Sequence, residues 1–210
     1  MAPYPPTYSR SFSLVPHAQS DGCKTYQIGA KLCALSPYEL GLYFRVEGMI
    51  EKLSLPSKVK GVRTDDLWQA TCFELFFCFD AAEGKQTTPK AAPYWEVNIA
   101  PSSAWASYEF SGYRAGMTNC DDLRVIDVRT SSSKDKLELS ARLSLGDRFA
   151  GLFARGEAGE GALARNTQIG LSAILKSMRD EKSYWAIAHP AGAPDFHHVD
   201  SYVSYMNGKQ

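Results

Sequence analysis

Apolar and polar residues alternate along several stretches of this chain, and this alternation restricts its possible folds more than any other feature. Between Tyr38 and Gly48, one set of alternate positions is apolar (Leu40, Leu42, Phe44 and Val46) and the other includes charged residues. Successive side chains of a β-strand point to opposite faces, so the pattern predicts a strand with one buried face. Similar but mostly shorter or less regular patterns occur in Lys136 to Leu143, Leu123 to Arg129, Gln168 to Lys176 and Tyr184 to His189.

The remaining segments also favour strands. Phe73 to Phe79 is almost entirely apolar, which is typical of a central strand covered on both faces. A helix beginning at Asp147 would last only a turn or two, because Gly151 and the glycines that follow it oppose helix formation. With weaker strands near Thr25 and Ile50, we expect about nine to eleven strands.

These strands must be mostly antiparallel, because the chain has no long connecting helices, and so many strands in one domain must close on themselves. We therefore expect a single domain over residues 1–210 with an all-β fold, a two-sheet antiparallel β-sandwich of the jelly-roll kind. Loops are expected at Gly84 to Pro93, at Ser131 to Ser133 and in the Gly/Ala-rich stretch that ends near Asn166.

Charge and hydropathy exclude two classes of partner. The 210 residues include 23 basic and 23 acidic side chains. Without net charge or a basic cluster, the chain lacks the field that concentrates a protein on phosphates, so nucleic acid is not an expected partner. No apolar run approaches the roughly 18 residues of a membrane span. The segment from Met1 to Pro6 lacks the charged and apolar regions of a secretory signal, so we expect a cytoplasmic protein.

The cysteines indicate thiols rather than disulfides or a zinc site. The five residues form no Cys-x-x-Cys pair and show no zinc-finger spacing; they are Cys23, Cys33, Cys72, Cys78 and Cys120. If Cys72 and Cys78 share one strand, they lie about 20 Å apart, far beyond disulfide reach. We expect buried free thiols.

Polar residues interrupt two of the predicted strands. Glu74 lies within an apolar strand, where an unpaired carboxylate would cost several kcal/mol, so it needs a partner or a wet cavity. Glu96 and Asn98 alternate with apolar residues and project from the opposite face of their strand. If these three side chains converge, with Trp68 from the preceding loop beside them, their acceptors and amide donors suit a ligand rich in hydroxyl groups.

Structural roles for the same residues stay open at this point. Glu74 is equally compatible with an ion pair to Arg114 or Arg45, and Asn98 with hydrogen bonds to neighbouring backbone groups. A catalytic alternative also exists, since Glu74 and Glu96 on adjacent strands would lie about 5 Å apart, as in a retaining glycosidase. No nucleophile elbow, phosphate loop or dinucleotide motif accompanies them.

Several runs of the sequence together resemble one family, the bacterial DOMON-like proteins, which are similar in fold to family 9 carbohydrate-binding modules. The runs are Leu14 to His17, Leu67 to Phe76, Tyr94 to Ser102 with Trp105 and Tyr108 to Phe110, Ser183 to Pro190, and Pro194 to His197. The resemblance spans nearly the whole chain. It implies a β-sandwich that binds a sugar or haem and does no chemistry of its own.

The resemblance also implies a binding mode. In the sugar-binding relatives, two tryptophans sandwich a sugar ring and a Glu and an Asn hydrogen-bond its hydroxyls; Trp68, Glu74 and Asn98 match that pattern. Trp185 is the candidate for the second tryptophan, by its order along the chain. Glu96 departs from the pattern, because the relatives carry a cationic group beside the Asn. We expect a non-catalytic module without a cofactor that binds a sugar-like ligand through Trp68, Glu74, Glu96, Asn98 and Trp185.

Two rival functions involve the histidines. His189, Asp195, His197 and His198 lie close together in the sequence and would bind a metal if three of them met with suitable geometry. Haem is the alternative that the resemblance implies, since cytochromes of the superfamily use a Met and a His, and Met49, Met117 and His189 are available. The sequence has no Cys-x-x-Cys-His attachment motif.

Overall fold

A computed structural model describes residues 8–20, 25–79, 92–153 and 167–205, and these residues form an all-β fold. The strands are β1 (Tyr8–Pro16), β2 (Gln27–Ser36), β3 (Glu39–Glu47), β4 (Cys72–Phe79), β5 (Tyr94–Ile99), β6 (Trp105–Phe110), β7 (Thr118–Asn119), β8 (Leu123–Ser132), β9 (Lys136–Leu145), β10 (Thr167–Lys176), β11 (Lys182–Ala186) and β12 (Val203–Ser204). Single 3₁₀ turns occupy Ile50–Lys52, Leu67–Gln69, Asp147–Phe149 and Val199–Ser201. None of the helical segments in these ranges is long and apolar enough to span a membrane.

The strands form one curled antiparallel sheet. Its order is β7-β6-β5-β4-β10-β11-β1-β2-β3-β9-β8, and β12 pairs with β10. β1 joins two halves of this sheet: Tyr8 to Leu14 pair with β2, whereas Val15 and Pro16 pair with β11. We call β1, β2, β3, β9 and β8 the first half, and β11, β10, β12 and β4 to β7 the second half. The sequence predicted two separate sheets, whereas the described strands form one sheet that is continuous through β1.

Most of the predicted strands are confirmed. β3, β4, β8, β9 and β10 match the segments identified by alternation or by continuous apolar character, and β4 is buried on both faces from Cys72 to Phe77. The predicted strand from Tyr184 to His189 is confirmed only in part, because β11 ends at Ala186. Two other predictions are wrong. Ile50 begins a 3₁₀ turn rather than a strand, and Ser131 and Ser132 extend β8 through pairing with β9 rather than forming a loop.

Some sequence predictions fall outside the described residues or on their edge. Residues 84–91 of the first expected loop and residues 154–166 of the Gly/Ala-rich stretch lie outside, as does Cys23. The other four cysteines, which lie in the described ranges, form no disulfide there, and Cys72 and Cys78 share β4 as expected.

The main hydrophobic core lies between the two halves. Alternate residues of β4, which include Phe73 and Phe77, point into it and meet the first half; the rings of Phe73 and Phe44 lie 4.8 Å apart between centroids. Trp95 belongs to this core and stacks against Phe77 at 5.4 Å. Burial of this apolar surface contributes about 25 cal/mol for each Å² removed from water, which makes the core the main source of stability.

The second half of the sheet also carries side chains on its outer face. A smaller apolar cluster covers this face and includes Phe76, Tyr94 and Phe110 from the strands and Phe196 from the C-terminal segment. That segment, residues 188–202, crosses the strands: His197 lies 5.2 Å from Phe76 between ring centroids. Because neighbouring residues of a strand face opposite sides, Phe73 points into the main core and Glu74 points to the outer face.

Candidate functional site

Strand register brings the three polar residues together on the outer face. Glu74 of β4 lies directly opposite Asn98 of β5, and Glu96 lies opposite Phe76 on one side and Tyr108 of β6 on the other. Glu74 and Glu96 are therefore diagonal neighbours, for which the separation is about 7–8 Å. The sequence-based expectation that they face each other directly at about 5 Å is wrong, because the direct partner of Glu74 is Asn98.

An open cavity of about 740 Å³ lies above these side chains. Glu74, Glu96 and Asn98 form its floor, and aromatic residues line its walls: Trp68, Phe76, Tyr108, Phe110, Tyr184 and Phe196. Small-molecule sites usually occupy about 300–1,000 Å³ and combine apolar walls with a few polar groups, so the cavity has the size and composition of a ligand site. Four of the five predicted residues meet here.

Glu74 is buried without a basic partner in the described part of the chain. It is 2% exposed, and its Oε2 accepts a hydrogen bond from the Ser172 hydroxyl at 2.9 Å. Neither of the predicted ion pairs forms, because Arg45 pairs with Glu47 and Arg114 with Asp195. Burial, and then repulsion by Glu96, raises the pKa of the Glu74 carboxyl well above its usual range.

Asn98 and Glu96 form a buried hydrogen-bonded pair. The Asn98 side-chain nitrogen donates to Glu96 Oε1 at 2.6 Å. Burial raises the pKa of Glu96, although this hydrogen bond and the charge of Arg114 oppose the rise. Asn98 is 1% exposed, and its Oδ1 has no hydrogen-bond partner among the described residues. The side chain therefore does not serve the backbone, and its unpaired oxygen carries a desolvation cost of about 1–3 kcal/mol.

Trp68 forms one border of the cavity. Its 3₁₀ turn follows Asp66, which lies in the left-handed region with φ of 60°. The indole is 48% exposed, which is unusual for so large an apolar side chain. Lys182 supports it: its ammonium lies 5.0 Å from the ring centroid and donates to the Trp68 carbonyl at 3.1 Å. The result is a fixed aromatic surface at the cavity mouth.

Trp185 does not lie at the cavity, which corrects its prediction as the second stacking residue. It is 2% exposed in the main core, and its Nε1 donates to the Ser183 hydroxyl at 3.0 Å. Register explains the placement, because Trp185 pairs with Ala173, a core residue, whereas Tyr184 pairs with Ile174 on the outer face. Tyr184 lines the cavity instead.

Several side chains in and beside the cavity were not assigned to it as candidate site residues from the sequence. Tyr108 donates its hydroxyl to Asp65 Oδ1 at 2.7 Å, which ties the loop before Trp68 to β6. The Tyr94 hydroxyl oxygen and His197 Nδ1 lie 2.8 Å apart, within hydrogen-bond distance. Burial lowers the pKa of His197 to about 4, so this imidazole is neutral at pH 7. Only the quoted resemblance runs pointed to these positions, since their spacing carries no signal of its own.

The expected histidine cluster does not assemble. His189 Nε2 lies 2.9 Å from the Val15 carbonyl, and His198 Nδ1 accepts from the Asp200 amide at 3.2 Å. Asp195 is engaged by Arg114 at 2.8 Å. Across the ranges that the structure describes, no group of three or more His, Cys, Asp or Glu residues is placed to hold a metal ion.

The residues considered for haem are dispersed. Met117 lines the candidate cavity, while Met49 lines a second, smaller cavity. His189 packs against His17, with 5.0 Å between ring centroids. His189 lines neither of these two cavities.

Comparison with known proteins adds no assignment. No family model matches the chain, and no curated protein matches it. Among solved structures, a red fluorescent variant with improved folding from Branchiostoma lanceolatum is 7% identical over 88% of this chain and 95% of its own. Its TM-score of 0.16 is too low to support any argument about fold or function. The function must therefore be inferred from the site itself.

Proposed function

We propose that this protein is a non-catalytic binding module for a small, hydroxyl-rich molecule of the carbohydrate class. One observation carries the proposal. Among the described residues, the floor of an open cavity holds two buried carboxyl groups that form no ion pair and the Oδ1 of Asn98, which has no hydrogen-bond partner, and an exposed tryptophan lies at the border. Such groups are costly to keep in an unoccupied fold, and hydrogen bonds from a ligand would offset the cost.

The two kinds of surface in the cavity suit the two kinds of surface on a sugar ring. A pyranose has an apolar C–H face, which Trp68 would cover, and a rim of hydroxyl groups, which the floor would bind. Each hydroxyl donates one hydrogen bond and accepts others, so it can serve Asn98 Oδ1 as a donor and a protonated Glu74 as an acceptor. The loss of water from the hydroxyls limits the net gain to about −4 to −8 kcal/mol, a Kd from micromolar to millimolar.

A two-sided aromatic clamp would use Tyr184 rather than Trp185. Trp68 and Tyr184 both line the cavity and come from different segments, the loop before β4 and strand β11. We also propose that the two halves joined by β1 are the two layers of a DOMON-like sandwich, as the sequence resemblance implies. In that arrangement the binding cavity lies on the outer face of the second layer.

Calorimetric titration with a panel of neutral monosaccharides tests the proposal. We expect at least one sugar to bind, and Trp68→Ala to weaken that binding at least tenfold while its melting temperature stays near that of the unmodified protein. Tyr38→Ala is the matched control, because Tyr38 is 52% exposed and lies outside the cavity. We expect this variant to bind normally.

Three results would contradict the proposal. The first is the absence of binding by every sugar, and the second is normal binding by Trp68→Ala. The third is hydrolysis of an aryl glycoside that disappears in Glu74→Gln, which would make the carboxyl pair catalytic rather than a binding element.

A further inference from the structure

The candidate cavity contains more acidic groups than it has cations to balance. Asp65 and Asp66 lie with Glu74 and Glu96 among its lining residues. Within the described residues, the one Lys or Arg that lines the cavity is Arg114, and it is paired with Asp195 at 2.8 Å. Among the described residues the two floor carboxyls therefore form no ion pair, and the charges of Lys182 and Arg114 act on Glu74 and Glu96 only from a distance.

Three acceptor atoms of the floor have no donor among the described hydrogen bonds. The Ser172 hydroxyl donates to Oε2 of Glu74, so Oε1 of Glu74 is the first acceptor without a donor. The Asn98 side-chain nitrogen donates to Oε1 of Glu96, so Oε2 of Glu96 is the second. The third atom is the amide oxygen of Asn98, whose side chain is 99% buried and which has no partner. The Asn98 oxygen is an observation independent of the acidic charge, and it points to a missing donor.

Three acceptors match the hydrogen-bonding capacity of one ammonium group. An –NH₃⁺ group has three donors and no acceptor, whereas a hydroxyl has a single donor. Glu74 and Asn98 face each other across β4 and β5, and Glu96 lies two residues from Asn98 on the same face. A nitrogen within hydrogen-bond distance of all three atoms would satisfy them. Three oxygens fall short of the six to eight that a calcium ion takes.

We propose that the ligand carries a protonated primary amine held by Glu74, Glu96 and Asn98, so that the ligand is an amino sugar. The proposal rests on the carbohydrate-binding function argued above and specifies which sugars the site selects. A cation at this position balances the two carboxyls against each other's repulsion and favours their ionised forms. Aromatic walls add a favourable contact, since aromatic rings attract a cation near their faces.

Glucosamine, N-acetylglucosamine and glucose provide a matched test, because they are the same pyranose with an amine, an acetamide or a hydroxyl at C2. Galactosamine, N-acetylgalactosamine and galactose form a second set. We expect calorimetry at pH 6.5 to show that the amino sugar of one set binds at least tenfold more tightly than both neutral members. Binding of the amino sugar should also release protons, measured as a heat that changes with the ionisation enthalpy of the buffer.

The variants separate a direct role of the carboxyls from a general effect on the fold. Glu74→Gln and Glu96→Gln should remove the preference, so that each variant binds the amino sugar within about threefold of its own affinity for the neutral members of the set. Glu39→Gln, at the start of β3 and outside the cavity, is the matched control and should keep the preference. If one glutamine variant fails to fold, the other variant and the proton release by the unmodified protein still decide the question.

The outcomes distinguish this inference from the proposed function. Equal affinity for all three members of a set, with binding present, overturns the amine inference and leaves carbohydrate binding intact. A preference that persists in both glutamine variants also overturns it. If none of the six sugars binds, the carbohydrate function is overturned and this inference with it.

Discussion

The buried carboxyl of Glu74 predicts that the protein loses stability as pH rises above neutrality. Burial raises the pKa of Glu74 in the folded state above that of the unfolded chain, so the folded protein binds more protons. The resulting stability is fully present below the unfolded pKa and is lost as pH rises through the folded pKa. With a folded-state pKa of about 8, the folded protein gives up this proton midway between pH 7 and 9, which corresponds to a loss of about 1.4 kcal/mol over that window.

Glu74→Gln isolates this effect. Glutamine keeps the size of the side chain and an acceptor for the Ser172 hydroxyl but cannot ionise. The free energy of unfolding of the unmodified protein should therefore fall by about 1.4 kcal/mol more than that of the variant between pH 7 and 9. Urea denaturation at pH 7, 8 and 9 measures both. This window avoids His197, whose lowered pKa makes its own contribution at lower pH.

The control and the refuting result are both clear. Glu39→Gln replaces a glutamate outside the cavity and should leave the pH dependence unchanged. If Glu74→Gln loses stability between pH 7 and 9 as steeply as the unmodified protein, the carboxyl already ionises at neutral pH, and the reasoning about its burial is wrong.

Two further predictions concern residues around the site. Trp185→Ala should lower the free energy of unfolding by about 3–5 kcal/mol, because it leaves a large cavity in the main core. The protein that remains folded should keep its ligand affinity. Urea denaturation measures the stability and calorimetry the affinity, and unchanged stability would place Trp185 outside the core. Gly170→Ala should cost about 1–3 kcal/mol and weaken ligand binding, since a Cβ there would lie 2.7 Å from Tyr202 Cδ1 and displace the C-terminal segment that covers the outer face. Unaltered melting temperature and affinity in Gly170→Ala would contradict this packing.

The strands were largely predictable because alternation of apolar and polar residues reports directly on which face is buried. β3 and β9 each have one face in the core, and their sequences alternate accordingly. The connection of the two halves through β1 was not predictable, since it depends on Val15 and Pro16 pairing with a strand about 170 positions later. The strand expected near Ile50 failed because a short apolar run does not distinguish a strand from a turn.

The floor of the site was predictable for a related reason. A carboxyl or amide at a buried strand position stands out against its apolar neighbours, as Glu74, Glu96 and Asn98 do. The tryptophans were harder. In Ser183 to Ala186 the phase of alternation decides whether Trp185 or Tyr184 faces the cavity, and that phase is set by pairing with β10. His197 and Phe196 come from an irregular segment whose position depends on long-range packing.

The central claim is that the floor of this cavity binds the hydroxyl or amine groups of a sugar, and the side-chain amide of Asn98 reports on it most directly. The amide resonances of ¹⁵N-labelled protein can be assigned to Asn98 by their absence in Asn98→Asp. A titration with the six sugars should shift these resonances in a saturable manner for at least one sugar. If a sugar binds and the Asn98 resonances do not move, or if none of the six shifts them, the account of the site is contradicted.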